Sequence, residues 1–459
     1  MMIDPLRLSA AAGVTLGYLG LCALWLRILW RKPALNADAG VHWVCYASQT
    51  GSAEALAHST AAALAARGES AQVLPLNRLD AATLETCRTA SFIVSTTGDG
   101  DVPDSGVRFV EQLMRQRLPL KALRYAVLAL GNRSYTHYCA FGHGLDAWLA
   151  DCGARARFPR IDVDNHDADA LTAWHDALGI KELGPVAPGI AAPLSEPEVW
   201  QTATLARRQH MNPGSAGEPV YWVELELPAS GAQSQRNDWE AGDIVDVRLA
   251  ADATPRTYTL ATLPDESDSP QTRTLGLIVR QQRHPDGSLG VMSGWLTHAA
   301  QPGDTLPLKL RAQSNFRIDG NIQRSLILIG NGTGLAGLAA HLKAREASGG
   351  PPCWLIFGER HIAHDFLLQT QLERWRDDGV LARLDCVFSR DSSDHPYVQH
   401  RLAASQDAVR QWIARDAAIY VCGSRLGMAE GVDHALAEAL GRDVLDTLAV
   451  NGRYRRDVY

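Results

Sequence analysis

No two of the eight cysteines in this 459-residue chain are spaced C-x-x-C; they stand at positions 22, 45, 87, 139, 152, 353, 386 and 422. That scatter offers no iron–sulfur or zinc ligand set, and a chain of this length needs no disulfide staples, so reduced thiols are expected. His361 and His364 lie three apart, but no Cys, Asp or Glu completes a recognisable motif around them, and no metal is expected. Basic charge is not in excess either. Lys and Arg number 44 against 51 Asp and Glu, a net charge of −7, which argues against a general nucleic-acid binder. Such acidity suits a basic protein partner and equally an ordinary solvated surface. There is no internal repeat. The remaining composition, 46% hydrophobic and 21% charged, is that of a globular chain long enough for roughly two to four domains.

One long uncharged run is present, Leu8–Leu26. At about 1.5 Å per residue it suffices to cross about 30 Å of hydrocarbon. Trp25 and Trp30 supply interfacial rings, and Arg27, Arg31 and Lys32 follow the run, whereas only Arg7 precedes it. The positive-inside rule then places the rest of the chain in the cytoplasm. The expectation is a single-pass anchor over 1–33 in the inner (cytoplasmic) membrane. The alternative is a cleaved signal peptide ending near Ala37 or Ala39.

Beyond the run the pattern changes twice. Short apolar segments at Val41–Tyr46, Ala71–Leu76, Ser91–Ser95 and Tyr125–Leu130 alternate with helical patterns such as Ala53–Arg67 and Phe141–Cys152. Alternation of this kind predicts a doubly wound parallel sheet over 40–180. Pro185, Pro188, Pro193 and Pro197 make 181–201 a linker. Alternating strands with turn residues over 202–318 predict an antiparallel β-barrel, and 319–459 returns to a second doubly wound domain. The predicted class is therefore multidomain α/β with one N-terminal transmembrane helix.

Three phosphate-type loops stand in order along these domains. The first holds Ser48, Gln49, Thr50, Gly51, Ser52 and Ala53 between a strand and a helix, where free N–H groups and the helix dipole favour an anion. It has no Lys after its glycine, so it is not an NTPase P-loop; hydroxyls suit a flavin monophosphate, and an ordinary strand–helix turn is the alternative. Within the first domain, Ser95, Thr96, Thr97 and Gly98 follow the third strand, and Gly131, Asn132 and Tyr135 the fourth, so these two loops converge with the first at one end of the sheet. Tyr135 offers a ring for an isoalloxazine, or merely packs its loop. In the barrel, Arg256 and Tyr258 fall on one side of a strand, with Thr259 opposite by strict alternation. Arg256 can fork onto a pyrophosphate. Gly290, Val291, Met292 and Ser293 open a further helical run, and Gly330-Asn-Gly332-Thr333-Gly334 lies between a strand and a helix.

On these motifs the chain, over Val41 to Tyr459, resembles the diflavin reductases, the group of NADPH–cytochrome reductases and sulfite reductase flavoproteins. The stretch Arg256-Thr-Tyr-Thr-Leu-Ala-Thr262 looks like the family's FAD strand, and Gly452-Arg-Tyr-Arg-Arg-Asp-Val-Tyr459 looks like its tail. The resemblance implies a flavodoxin-like FMN domain, an FAD-binding barrel and a ferredoxin-reductase-type NADPH domain. It implies FMN phosphate on Ser48–Ala53 with Tyr135 over the ring. It implies FAD on Arg256, Tyr258 and Thr259, with its diphosphate on Gly290–Ser293. Cys422 and Asp457 would stand beside the nicotinamide, Tyr459 over the FAD ring, and Ser389, Arg390, Tyr397 and Gln399 round the 2′-phosphate of NADPH. Electrons would run from NADPH to FAD to FMN and on to a redox protein acceptor at the membrane, a haem or ferric-chelate component or a sulfite-reductase-like partner. Asp99, Asp101 and Asp104 would fringe the FMN edge, as docking acids or as solvated loop residues. Three departures stand out. Thr97 sits where many flavodoxin-like domains have a ring, and His395 where a Lys often helps hold the 2′-phosphate. Only a few residues separate Val247 from Arg256, where the family usually inserts a helical connecting domain. Two other readings are a single-flavin FAD reductase with the first domain as a docking module, and a non-catalytic assembly subunit.

Overall fold

A computed structural model describes residues 40–48, 51–97, 100–133, 137–164, 167–180, 200–228, 239–250, 253–266, 272–391 and 394–459. The expected anchor over 1–33, the linker prolines, and Gln49, Thr50, Gly98, Asp99 and Tyr135 lie outside these residues. Among the described residues no helix is long and apolar enough to cross a membrane. Helix α1, Ser52–Ala66, has only 15 residues, whereas a span needs about 20. The expected placement in the inner membrane is corrected on this finding as far as the described residues go: none of their helices supports it, and the anchor residues themselves lie outside them.

The described chain forms two compact units. In the first, β1 (His42–Ala47), β2 (Ala71–Pro75), β3 (Thr89–Ser95), β4 (Arg124–Gly131), β5 (Arg155–Ala156) and β6 (Ile161–Asp164) make a parallel sheet in the order β2-β1-β3-β4-β5, with β6 also on β4. The central strands are apolar on both faces, because helices cover both sides. Phe92, Val94, Val127 and Trp43 are buried on one face with Phe109 and Trp148. Trp148 comes from α2 (Ala140–Asp151), and α3 (Ala168–Leu178) buries Leu171 and Trp174. Strand order reverses at β1, and ligands of such sheets bind at the carboxyl ends of the strands beside that point.

The second unit contains two sheets. Strands β7 (Gln201–His210), β8 (Val220–Pro228), β9 (Ile244–Val247), β10 (Arg256–Thr259), β11 (Thr272–Arg280) and β12 (Thr305–Arg311) form an antiparallel sheet in the order β10-β9-β12-β7-β8-β11. Alternate residues Val223, Leu225, Leu227, Leu275, Leu277 and Val279 fill one face, the period-two pattern of a half-buried sheet. Just past β10, the N–H of Ala261 donates to Gly276 O of β11 at 2.8 Å, joining the two ends of the sheet. Strands β9 and β10 form a direct hairpin, with Val247 opposite Arg256, so this chain has no inserted domain between them.

Strands β13 (Leu326–Asn331), β14 (Cys353–Glu359), β15 (Leu381–Phe388), β16 (Ala418–Gly423) and β17 (Tyr454–Val458) form a parallel sheet in the order β15-β14-β13-β16-β17. The run Leu326–Ile329 is wholly buried, as both faces are covered. One face packs on α4 (Leu335–Ser348), the other on α5 (Val398–Ala403) and α6 (Glu430–Leu440). The tail is not a loose end. It is β17, and its parallel pairing sets Asp457 opposite Cys422.

Candidate functional site

In the first unit the expected loop residues gather at the carboxyl ends of β1, β3 and β4. Ser48 is buried; its Oγ accepts from Ala53 N at 3.2 Å, closing the strand–helix turn, and its own N–H donates to Ser105 Oγ at 2.9 Å. Gly51 and Ser52 lead into α1. Ser95 Oγ donates to Ala47 O at 3.1 Å, tying the end of β3 to β1. Thr96 Oγ1 accepts from Phe141 N at 3.3 Å, and Thr97 bridges Asp101. Gly131 ends β4 opposite Asp164, and Asn132 follows it. Hydroxyls and turn amides are thus concentrated at one sheet end, a donor set suited to an anion.

The second unit brings together residues far apart in sequence. Thr259 Oγ1, at the end of β10, donates to Asp457 Oδ2 at 2.7 Å. Cys422 Sγ, at the end of β16, lies 3.6 Å from the same oxygen. Gln313 Nε2, from the segment between β12 and β13, donates to Asp457 Oδ1 at 2.9 Å. Thr259, Gln313 and Cys422 are all buried. Burial pushes the Asp457 carboxyl above its ordinary value, although hydrogen bonds from Gln313, Thr259 and Cys422 oppose this. Burial, aided by the neighbouring Asp457, pushes the Cys422 thiol well up, so it stays a neutral thiol. Alternation alone sent Thr259 away from Arg256 and Tyr258; the structure shows what lies on that other side, namely this carboxylate.

Helix α4 makes the cluster possible. A Cβ at Gly337 would lie 2.9 Å from Thr259 Cγ2 and 3.4 Å from Cys422 Sγ, so only glycine lets the helix come this close. Tyr459, two residues beyond Asp457, is 58% exposed, and its hydroxyl lies 3.1 Å from Thr333 Oγ1. A large ring left open beside a glycine loop is a contact surface rather than core. Gly332 has φ +56°, and a Cβ there would approach Arg280 Nη2 at 3.1 Å. Arg280 pairs with Glu359 at 2.5 Å across the mouth of that loop. Burial raises the pKa of Glu359 against the pull of Arg280.

The other expected residues take varied places. Arg256 is exposed, with Nη1 donating to Pro255 O at 3.2 Å, while Tyr258 packs on the sheet core. Ser293 Oγ accepts from Gln282 N at 3.1 Å; Met292 is buried core, and Val291 is 72% exposed. Ser389 and Arg390 follow β15, their N–H groups bonded to Glu359 O and Arg360 O. Arg390 and Tyr397 are exposed, and Gln399 lies against Gly431. His361 and His364 serve as ties to distant segments, to Asp391 Oδ1 and to Pro213 O. Sequence reasoning missed Gln313, Arg280 and Glu359. Arg280 and Glu359 each end a strand near a glycine loop, a position that could have flagged them; Gln313 carries no local signal.

Comparison with known proteins finds relatives over most of the chain. Residues 44–174 match the Flavodoxin family. A sulfite reductase [NADPH] flavoprotein alpha-component of Bacillus subtilis is 26% identical over 548 aligned positions, covering 93% of this chain and 90% of the relative. The corresponding component of Vibrio parahaemolyticus is 28% identical, covering 92% and 87%, and that of Shewanella sp. (strain ANA-3) 26%, covering 91% and 89%. The chain thus carries a flavodoxin domain and is homologous over about nine-tenths of its length to sulfite reductase flavoprotein alpha-components, which are diflavin reductases. An alignment of 548 positions exceeds the 459 residues of this chain, so the relative holds sequence that this chain lacks. The direct β9–β10 hairpin shows that no domain is inserted between these two strands, the departure from the family pattern expected from the sequence.

Proposed function

We propose that this protein is an NADPH-dependent diflavin reductase that passes electrons from NADPH through FAD to FMN and on to a one-electron acceptor protein. The observation that carries the reading is the convergence of Thr259, Cys422 and Gln313 on Asp457 beside an exposed terminal tyrosine. A half-buried carboxylate held only by neutral donors can stabilise positive charge developing next to it, which hydride loss from a nicotinamide requires. On this reading 202–318 is an FAD-binding barrel and 319–459 an NADPH-binding domain. Ser48–Ala53, Ser95–Gly98, Gly131, Asn132 and Tyr135 hold FMN. Arg256, Tyr258 and Thr259 hold FAD, with Gly290–Ser293 at its diphosphate. Gly332 and Thr333 receive the nicotinamide dinucleotide, and the exposed Arg390 and Tyr397, with Ser389 and Gln399, meet its 2′-phosphate. When bound, the cofactors supply the redox chemistry; the protein supplies orientation, electrostatics and exclusion of water.

The donor sets fit these groups. Hydroxyls and turn amides without a nearby Lys suit a monophosphate at β1, and an exposed guanidinium on β10 suits a diphosphate. The relatives are named as alpha-components of sulfite reductase, and we take a haem-containing partner of that type as the acceptor. The test is to release and quantify the flavins of the purified protein and to assay NADPH-dependent reduction of ferricyanide and of a cytochrome. Equal FMN and FAD with both activities is expected. FAD alone after FMN supplementation would leave a one-flavin reductase, and no flavin with no ferricyanide reduction would overturn the enzyme reading.

A further inference from the structure

Gln313 is the one member of the Asp457 cluster with an unmet bond. Its Nε2 donates to Asp457 Oδ1 at 2.9 Å, yet its Oε1 is buried and has no hydrogen-bond partner, and the residue is only 3% exposed. A buried acceptor left unsatisfied is costly, and in native structures it calls for an explanation. Nor is the residue placed loosely. Its backbone N–H donates to Asp243 Oδ1 at 3.0 Å, and Asp243 is itself clamped by Arg317 through Nε at 2.7 Å and Nη2 at 2.6 Å. Its carbonyl accepts from Phe316 N at 2.8 Å. The main chain is fixed, and the amide plane is the part left free to turn.

Asp457 has no hydrogen-bonded cation among the described residues. The titratable groups facing it are Cys422 from β16 and Tyr459 further along its own strand. The arginines beside it on β17 are engaged elsewhere: Arg455 bonds Arg317 O and pairs with Asp319, and Arg456 pairs with Asp433. Arg280 is held by Glu359. The charge on Asp457 therefore rests on three neutral donors, of which only Gln313 reaches Oδ1. An amide presents a donor and an acceptor of nearly the same shape, exchanged by a half-turn of its last bond. Facing a carboxylate, Gln313 donates; facing a protonated acid, it can turn and accept through Oε1.

We propose that Gln313 is a positioning residue that holds Asp457 in line with Thr259 and Cys422 and serves that carboxyl in both protonation states. The proposal rests on the reading of the cluster as the hydride-transfer site, and the unmet Oε1 is the signature of an amide kept for two partners. It implies that Asp457 keeps a bonded partner whether or not it carries a proton, so its ionisation is set by the amide rather than by a fixed cation.

The test compares the holoprotein with Gln313→Met, which keeps the side-chain shape and removes both polar ends. Infrared difference titration reads the protonated-carboxyl band of Asp457, assigned by its loss in Asp457→Asn. Anaerobic stopped-flow reads flavin reduction by NADPH across pH. The expected result is that the titration midpoint, and with it the acid limb of the rate profile, moves up by about one unit or more. Flavin reduction at neutral pH then slows about tenfold, with the KM for NADPH changed less than about twofold. A midpoint and acid limb that coincide with those of the wild type would overturn the proposal. Should Gln313→Met not fold, Gln313→Leu reads the same midpoint without adding a charge: displaced upward it supports the proposal, unmoved it refutes it. If the midpoint moves in a protein whose wild type shows no flavin reduction by NADPH, the functional reading fails while the role of Gln313 stands.

Discussion

Asp243 and Asp457 are two inward-facing carboxylates joined by one residue, Gln313, and they are satisfied in opposite ways. Asp243 is gripped by both sides of the Arg317 guanidinium and by two backbone N–H groups, those of Glu240 and Gln313. Asp457 receives a hydroxyl, a thiol and an amide, and no cation bonds it among the described residues. The first arrangement neutralises charge in place and belongs to the framework. The second leaves charge available for something that arrives, at the cost of a raised pKa. A carboxylate is marked as functional here by what it is denied, since both are well placed and hydrogen-bonded.

Two substitutions would break that comparison. Asp457→Asn keeps the shape but loses the charge, and flavin reduction by NADPH is expected to fall about a hundredfold or more with little change in thermal unfolding. Stopped-flow under anaerobic conditions measures it; a loss of less than about threefold would remove Asp457 from the hydride step. Asp243→Asn should do the reverse. Leaving Arg317 with only the exposed Glu240 as its ionic partner is expected to cost about 2–3 kcal/mol in denaturant unfolding, less than the loss of a sole buried partner. The acid limb of the rate profile should stay where it is, since the amide oxygen of Asn still accepts from the Gln313 N–H.

A third substitution asks what happens to a buried group with neither ion nor partner. His341, on α4 one turn beyond Gly337, is fully buried, and both ring nitrogens lack hydrogen-bond partners. It stands 4.9 Å from Phe316 and 4.8 Å from Tyr420, centroid to centroid. Burial, with Arg455 and Arg345 nearby, lowers its pKa to about 3. The unfolded chain therefore binds a proton at this residue that the folded chain refuses, between about pH 6.5 and 3. Stability is full above that window and falls as pH drops through it. His341→Leu removes this term, so relative to wild type the variant should gain about 2 kcal/mol on going from pH 7.5 to pH 5. Chemical denaturation at the two pH values measures it, and an unchanged difference would show that His341 is protonated in the folded state.

How much of this was legible beforehand follows from what each residue must do locally. The parallel strands were readable because Phe92–Val94 or Leu326–Ile329 cannot be anything but buried runs, and β10 because Arg256–Thr259 is bounded by turn residues. Strand β17 was not, because Tyr454-Arg-Arg-Asp-Val458 is an edge strand whose residues are all only partly buried, with no apolar period to display it. Strands β7 and β12 were hidden likewise, by polar residues on their exposed faces. In the site, glycine and hydroxyl loops show themselves, since backbone geometry demands those residue types. The pairing of Thr259 with Asp457 spans 198 positions and had only the resemblance to suggest it. Gln313 had nothing, because a glutamine between two strands looks the same whether it faces water or a carboxylate.

The smallest effect concerns a third carboxylate, Glu359, which sharpens the contrast because its cation sits at the site itself. Glu359 holds Arg280 at 2.5 Å, and that guanidinium stands beside Gly332 in the loop proposed to receive the dinucleotide. A phosphate entering there competes with Glu359 for the same fork of donors. Glu359→Gln keeps a hydrogen-bond acceptor for Arg280 and removes the competing charge. The KM for NADPH is then expected to fall about two- to fivefold, as the guanidinium turns toward the incoming anion at lower cost. The rate of flavin reduction at saturation should stay within about twofold, because neither residue touches Asp457, Thr259 or Cys422. Steady-state kinetics with NADPH and NADH separates the outcomes. A common fall in KM for both places Arg280 at the diphosphate they share, a fall for NADPH alone places it at the 2′-phosphate, and a rise for both would make Glu359 a strut that holds Arg280 in position rather than a rival for it.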